Sequence, residues 1–265
     1  MLICALGDLL LDVIVRLERP LAADGDVPAT TRTGAGGQAA NVAAWAAALG
    51  AEARVLCKLG DDAAAALVRA DAEEHGVRVL GPIAAGRTGV VVSLVGPGAA
   101  RTMASDRGVA PELAPEELEP AWLEGCDVLH VSGYALLREP IAQAALRARE
   151  LAPGRVSLDL SSAPDIAAYG PRRFRALVER LAPDIVFAND DERAVLGDLP
   201  APEWVVKLGH RGILLSSGEE LAARPAEVVD TTGAGDALAA GYLVAGPAAA
   251  LDAAARCVGR MGATP

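Results

Sequence analysis

Asp230-Thr231-Thr232-Gly233-Ala234-Gly235-Asp236 runs directly into the apolar stretch 237–245. Two glycines around an alanine, just ahead of a helix-like run, make a turn without bulky Cβ groups. Such a turn can aim several backbone N–H groups at one point. The point lies at a helix N-terminus, where unpaired donors and the helix dipole both favour an anion. Asp236 sets a carboxylate beside that anion pocket. The pairing makes chemical sense if the acid removes a proton from a hydroxyl while the amides hold a phosphoryl group in transfer. Taken alone, the same residues also fit an ordinary helix start after a Gly-rich turn.

A second cluster, Gly34-Ala35-Gly36-Gly37-Gln38-Ala39-Ala40-Asn41, precedes another helix-like run. Gly36 and Gly37 let a ligand touch the main chain. Asn41 follows in the first turn, where its amide can both donate and accept, which suits a polyol such as a sugar. Gly34 to Ala39 also matches the loose dinucleotide fingerprint G-x-G-x-x-A. That fingerprint must follow the first strand. The end of the first strand, Gly7-Asp8-Leu9-Leu10-Leu11-Asp12, has no glycine triplet. No G-x-x-x-x-G-K-[ST] occurs, so the chain is not a P-loop protein.

Short apolar runs alternate with longer amphipathic ones. Strands are expected at 2–6, 54–58, 127–132, 156–160, 184–188, 204–208 and 212–216. Helices are expected at 39–49, 63–75, 140–151, 172–181, 236–244 and 248–258. This βα alternation implies an α/β fold with a mostly parallel central sheet and helices on both faces. Ligands on such sheets sit beyond the carboxyl ends of the strands. Two segments, 13–33 and 88–103, break the alternation. The second reads as a hairpin around Gly96-Pro97-Gly98. Together they make a small accessory sheet, a lid with one face over substrate and the other toward a partner subunit. An ordinary buried strand is the competing reading of 89–95. No repeat or linker divides residues 1–265, which read as one domain.

The 265 residues are 52% hydrophobic, enough for a large core and against disorder. Thirty-five acids against 24 bases give a net charge of −11. That balance disfavours nucleic acid and anionic membranes as partners, so a phosphate site must be built locally. Aromatic residues are 3%, too few for a stacking platform. Cys4, Cys57, Cys126 and Cys257 lack metal or disulfide spacing and read as core residues of a reducing compartment. His75, His130 and His210 are dispersed. With no basic leader and no long apolar span, a cytoplasmic location is the expectation.

The two glycine motifs together resemble the ribokinase-like, or pfkB-type, carbohydrate kinase family. Gly36, Gly37, Asn41, Gly50 and Gly60 fill its first pattern. Asp230 to Asp236, with Ala240 and Gly241, fill its second. The resemblance covers essentially the whole chain and implies a three-layer α/β/α fold with a small β lid. It implies transfer of the γ-phosphoryl group of ATP, with Mg²⁺, to a hydroxyl of a small sugar or related polyol. Asp236 would be the base, and the amides of Gly233, Ala234 and Gly235 the anion hole. An unperturbed aspartate, with a pKa of about 3.9, is ionised at neutral pH and a weak base, so positioning must supply most of the rate.

By the same resemblance, Asp12 binds substrate hydroxyls, with Asp8 sharing the task beside Gly36, Gly37 and Asn41. Lys207, Gly209 and Gly212 would lie along ATP, with Thr232 and Asn189 near its phosphates. Glu192 of the Asn189-Asp190-Asp191-Glu192 element would help place Mg²⁺ through water. Asp159 points to the same crevice, and Asp230 resembles a ligand of a monovalent cation such as K⁺. Acid sugars and sugar phosphates also remain open as acceptors, because Arg101 or Arg107 could pair with a carboxylate or phosphate. A nucleoside kinase of the same fold, a non-catalytic sugar or nucleotide sensor, and a homodimer through the lid remain open.

Overall fold

The computed structural model describes residues 1–21, 24–96, 101–197 and 199–265. Its strands are β1 (Leu2–Leu6), β2 (Leu10–Leu17), β3 (Ala29–Gly36), β4 (Glu52–Leu56), β5 (Leu59–Gly60), β6 (Val77–Leu80), β7 (Ile83–Ala84), β8 (Thr88–Val95) and β9 (Arg101–Gly108). They continue with β10 (Val128–Ser132), β11 (Arg155–Asp159), β12 (Ile185–Asn189), β13 (Glu203–Lys207), β14 (Ile213–Leu215) and β15 (Glu220–Leu221). The α-helices are α1 (Gln38–Ala48), α2 (Ala63–Glu74), α3 (Ile141–Leu151), α4 (Ala163–Tyr169), α5 (Pro171–Leu181), α6 (Asp190–Leu196), α7 (Ala234–Ala245) and α8 (Pro247–Val258).

Among the described residues the central sheet has the order β15-β14-β13-β12-β11-β10-β1-β4-β6. Neighbours from β13 to β6 pair in parallel, and β14 and β15 are added antiparallel. β1 is apolar at every position because helices cover both of its faces. Leu2, Cys4 and Leu6 share a core with Ile141 of α3 and Phe174 of α5. Ile3, between them, shares another with Trp45 of α1 and Leu238 of α7. The result is the three-layer α/β/α arrangement expected from the sequence. Because the strands are parallel, the segments after β1, β10, β11, β12 and β13 all leave the sheet at one edge. Close approach of helices matters on the second face: a Cβ on Gly241 of α7 would stand 2.5 Å from the Ala249 carbonyl oxygen of α8.

The small sheet has the order β3-β2-β8-β9, with β2 and β8 parallel and the outer pairs antiparallel. Leu10, Asp12 and Ile14 of β2 are buried, as are Val91 and Ser93 of β8. Val13 and Val15, cross-strand from Val92 and Leu94, are half-buried. β9 runs to Gly108, five residues past the expected end, and carries Arg107 toward the main body. Pro97 and Gly98 of the expected turn, and the side chain of Arg101, lie outside the described residues. No described helix is long and apolar enough to cross a membrane.

His130 of β10 is fully buried, and its Nδ1 lies 2.9 Å from Ser157 Oγ. Burial pushes its pKa down to about 4; Asp159 opposes the shift and Lys207 adds to it. The folded state therefore keeps His130 neutral, while the unfolded chain takes up a proton near pH 6.5. The stability this confers is present above pH 6.5 and lost as the pH falls toward 4. We expect the gap in unfolding free energy between the parent and His130→Gln to narrow by on the order of 2–3 kcal/mol from pH 7.5 to pH 4. Urea melts at a series of pH values check this.

Candidate active site

α7 starts where the chain turns through Gly233, whose φ of 75° lies in the left-handed region. A Cβ on Gly233 would stand 2.6 Å from Ala263 Cα. The turn thus needs glycine both for its backbone angle and for the close passage of the C-terminal tail. Gly233→Ala should cost roughly 1–3 kcal/mol and lower turnover as the first turn shifts. Thermal melts and initial rates on one preparation test this.

The first-turn N–H groups of a helix have no acceptors within it. Here Ala234 N donates to Thr231 O at 3.3 Å, so its amide already has a neighbour. The Gly235 and Asp236 amides follow it at the positive end of α7. Lys207 Nζ lies 3.5 Å from where a Gly235 Cβ would stand. An ammonium and a helix N-terminus therefore converge on one small region that favours an anion.

Asp236 is half-buried in the first turn of α7. Its Oδ2 accepts Asn41 Nδ2 at 2.8 Å, which ties α7 to the start of α1. Asn41 is buried, and its Oδ1 has no hydrogen-bond partner. The ordinary aspartate pKa expected from the sequence does not hold. Burial pushes the Asp236 carboxyl up to about 7; the Asn41 hydrogen bond opposes this, Asp159 adds to it, and Lys207 and Gln38 oppose it. The acid is thereby poised near neutrality, where a general base works best.

Lys207 ends β13 and reaches across β12 to the end of β11, donating to Asp159 Oδ1 at 2.9 Å and Oδ2 at 2.8 Å. Desolvation alone would lower the lysine pKa, but Asp159 and Glu192 hold it above the usual range. Glu192 is buried, and desolvation raises its own pKa. Its two oxygens accept Asn189 N at 2.8 Å and Asn189 Nδ2 at 3.0 Å, and Asn189 Oδ1 accepts Glu192 N at 2.8 Å. This reciprocal box starts α6 and fixes both side chains at the rim of the crevice. Among the described residues no three His, Cys, Asp or Glu side chains gather closely enough to hold a metal by themselves.

Asp12 lies against Gly36, where a Cβ would meet its Cγ at 2.3 Å. Gly37 has φ 97°, and its Cβ would stand 2.4 Å from Asp8 O. The glycine pair therefore makes room for the segment carrying both acids. Asp8 is buried and already paired: Arg107 of β9 donates Nε to its Oδ2 at 2.6 Å and Nη2 to its Oδ1 at 2.8 Å. Arg107 Nη1 also donates to Tyr134 O at 3.2 Å. The pair ties the small sheet to the main body.

A cavity of about 430 Å³ adjoins this region, with Lys207, Gly209, Ala234, Gly235 and Leu251 among its walls. Gly209 is needed for its φ of 61°; a Cβ there would meet nothing within 4 Å. Gly212 differs, since its Cβ would stand 2.0 Å from Leu221 O of β15. Asp230 is directed elsewhere. Its Oδ1 accepts Thr232 N at 2.9 Å and Thr232 Oγ1 at 2.6 Å, and its Oδ2 accepts Gly262 N at 3.1 Å. Asp230 and Thr232 thus fasten the turn to the C-terminal tail.

Three polar residues at the site are absent from the sequence-based set: Gln38, Ser132 and Ser161. Gln38 Oε1 accepts Ser132 Oγ at 2.6 Å and Ser161 Oγ at 2.5 Å. The signal for them was positional. Gln38 sits inside the glycine–asparagine motif, and the serines close or follow β10 and β11, where crevice residues of such sheets belong.

Comparison with known proteins agrees with the fold. A family model described as pfkB family carbohydrate kinase matches residues 1–262. An ATP-dependent ribose-1-phosphate kinase from Halopiger xanaduensis is 32% identical over 247 residues, covering 88% of this chain and 80% of that protein. A fructokinase from Klebsiella pneumoniae is 31% identical, covering 78% and 75% respectively. The crystal structure of adenosine kinase from Sinorhizobium meliloti superposes with a TM-score of 0.86 at 25% identity, covering 99% of this chain and 95% of that one. The chain belongs to the pfkB family of carbohydrate kinases.

Proposed function

We propose that the protein transfers the γ-phosphoryl group of ATP to a hydroxyl of a small sugar or related polyol. The observation that carries this reading is the pairing of Asp236 with Asn41 at the N-terminus of α7, beside Lys207 and an adjoining cavity. Asn41 Oδ1 is a buried acceptor that a substrate hydroxyl would satisfy. Asp236 takes the proton of the acceptor hydroxyl. The hydroxyl oxygen of the acceptor then forms the new P–O bond as the bond to the ADP oxygen breaks. Lys207 and the first-turn amides of α7 hold the charge spread over the transferring group.

The cavity, with apolar residues such as Leu251 in its wall, has the size of a small-ligand site and opens onto Lys207, so it fits a nucleotide. Mg²⁺ bound with the phosphates would be held there through water by Glu192, with Asp159 near, and would neutralise phosphate charge. The small sheet acts as a lid, with Asp12 on its inner face toward the acceptor. We further propose that Val13, Val15, Val92 and Leu94 on its outer face meet a second copy of the chain. Val13→Asp would then shift the protein from dimer to monomer in light scattering.

An ADP-release screen over sugars, sugar phosphates, acid sugars and nucleosides tests the function. Turnover with a sugar or sugar phosphate supports it. Turnover only with nucleosides would move the chain to the nucleoside-kinase reading, for which the adenosine kinase neighbour is the argument. Binding of sugar or ATP with no turnover of any acceptor would favour a sensor.

A further inference from the structure

We propose that Gln38 is a positioning residue for the base, its side-chain amide locked by Ser132 and Ser161 so that its NH₂ group faces Asp236. The proposal rests on the kinase reading of the site and adds a residue to it.

The orientation follows from counting donors. Gln38 Oε1 lies 2.6 Å from Ser132 Oγ and 2.5 Å from Ser161 Oγ; Asn41, one turn on along the same face of α1, donates to Asp236 at 2.8 Å, and the Gln38 side chain lowers the pKa of that same carboxyl. An amide turned the other way would set its oxygen against the Asp236 carboxylate. With the oxygen held by two hydroxyl donors, the nitrogen is the atom left for Asp236. Ser161 Oγ also lies 3.1 Å from Asp159 O. A hydroxyl has one proton, and the shorter contact, to Gln38, takes it. Asn41 donates to Asp236 Oδ2 at 2.8 Å, and in the proposed arrangement the Gln38 NH₂ group is a second donor. Two donors on one carboxylate fix its rotation as one donor does not.

The backbone gives an independent sign. Ser161 has φ 74°, and only two other described non-glycine residues, Asp24 and Ala182, share that region. The conformation costs about 1 kcal/mol or more for a residue with a Cβ. It is held by Ser161 N donating to Asp159 Oδ1 at 3.0 Å. The buried strand end thus carries a strained turn that brings a hydroxyl to Gln38. Ser132, buried at the end of β10, brings the other. Three elements, α1, β10 and the turn after β11, are joined at one amide whose free side serves Asp236.

Other groups acting on Asp236 are Asp159 after β11 and Lys207 of β13. The Cys257 thiol of α8 and the Tyr134 phenol, both neutral at pH 7, also feel its charge. None of these replaces a donor aimed at the carboxylate.

The test compares Gln38→Met, which keeps length and loses the amide, with the double variant Ser132→Ala/Ser161→Ala, which keeps Gln38 and removes its two pins. Gln38→Met should lower kcat about tenfold or more, with the KM for ATP within about twofold. The acid limb of kcat/KM should move up by about one pH unit, because a donor that favoured the ionised acid is gone. The double serine variant should move both quantities the same way by less. A merely structural role would lower the melting temperature and leave the limb in place. Carboxyl ¹³C titration, with Asp236→Asn assigning the resonance, reads the Asp236 midpoint without turnover. An unchanged or lower midpoint in Gln38→Met would overturn the proposal. If the unmodified chain phosphorylates nothing, the functional reading fails, while the titration still decides the role of Gln38.

Discussion

Asp236→Asn should reduce kcat by roughly 10²–10⁴-fold and leave ATP affinity within a few-fold of the parent. The substitution keeps the shape and the hydrogen bond from Asn41 Nδ2. It removes only the capacity to accept the acceptor's proton. In the parent, the carboxyl pKa of about 7 implies that activity falls tenfold per pH unit on the acid side of neutrality. The stability effect has the opposite sign to the activity effect. The folded pKa is raised above the unfolded value, so the ionised acid weakens the fold increasingly between about pH 4 and pH 7. Asp236→Asn should therefore be more stable than the parent at pH 8. The gain is on the order of 1–2 kcal/mol after solvent screening of a half-buried group, and fades as the pH falls toward 4. Initial rates and urea melts from pH 5 to pH 8.5 measure both. A variant that keeps turnover would remove Asp236 from the chemistry.

Lys207→Met should have the largest effect on stability. Asp159 is fully buried, and Lys207 donates to both of its carboxylate oxygens, with the Ser161 amide adding a neutral donor to Oδ1. Removing the ammonium leaves a buried carboxylate beside Glu192 and Asp236. Breaking a buried pair from one side costs about 3–5 kcal/mol. Asp159→Asn in the same chain should restore much of that loss, since the uncompensated charge goes too. Activity should not return with it, because the group facing the α7 N-terminus is still missing. The ATP KM of both variants should rise by an order of magnitude or more. Denaturant melts of the two single variants and the double one form the cycle that separates stability from phosphate binding. Additive losses would mean that Lys207 and Asp159 do not act as a pair.

Much of the frame was legible because its signals are long. α1, α2, α5 and α8 start within a residue of their expected positions, since each carries ten or more residues with an apolar face. β1, β12 and β13 read correctly as short apolar runs, as strands covered on both faces must be. Shorter elements escaped. Val77-Arg78-Val79-Leu80 alternates over only four residues, and α4 has seven residues and one buried side chain.

The candidate site was legible where glycine was required. Gly36 accommodates Asp12, Gly37 passes over the Asp8 carbonyl, and Gly233 passes under Ala263. These are backbone demands that leave a mark in sequence. The pairing of Asp8 with Arg107 left none, because it spans 99 positions and depends on how far β9 runs. The raised pKa of Asp236 was also hidden. It arises from burial among residues of α1, β11 and β13, a property of packing rather than of any motif. The same holds for Gln38, whose partners come from two separate strand ends.

The most direct measurement is a crystal structure with a non-hydrolysable ATP analogue. The account predicts the terminal phosphate within hydrogen-bond reach of the Gly235 amide and Lys207 Nζ, with the adenine in the cavity walled by Leu251. A triphosphate tail bound elsewhere, with the first turn of α7 out of its reach, would contradict it.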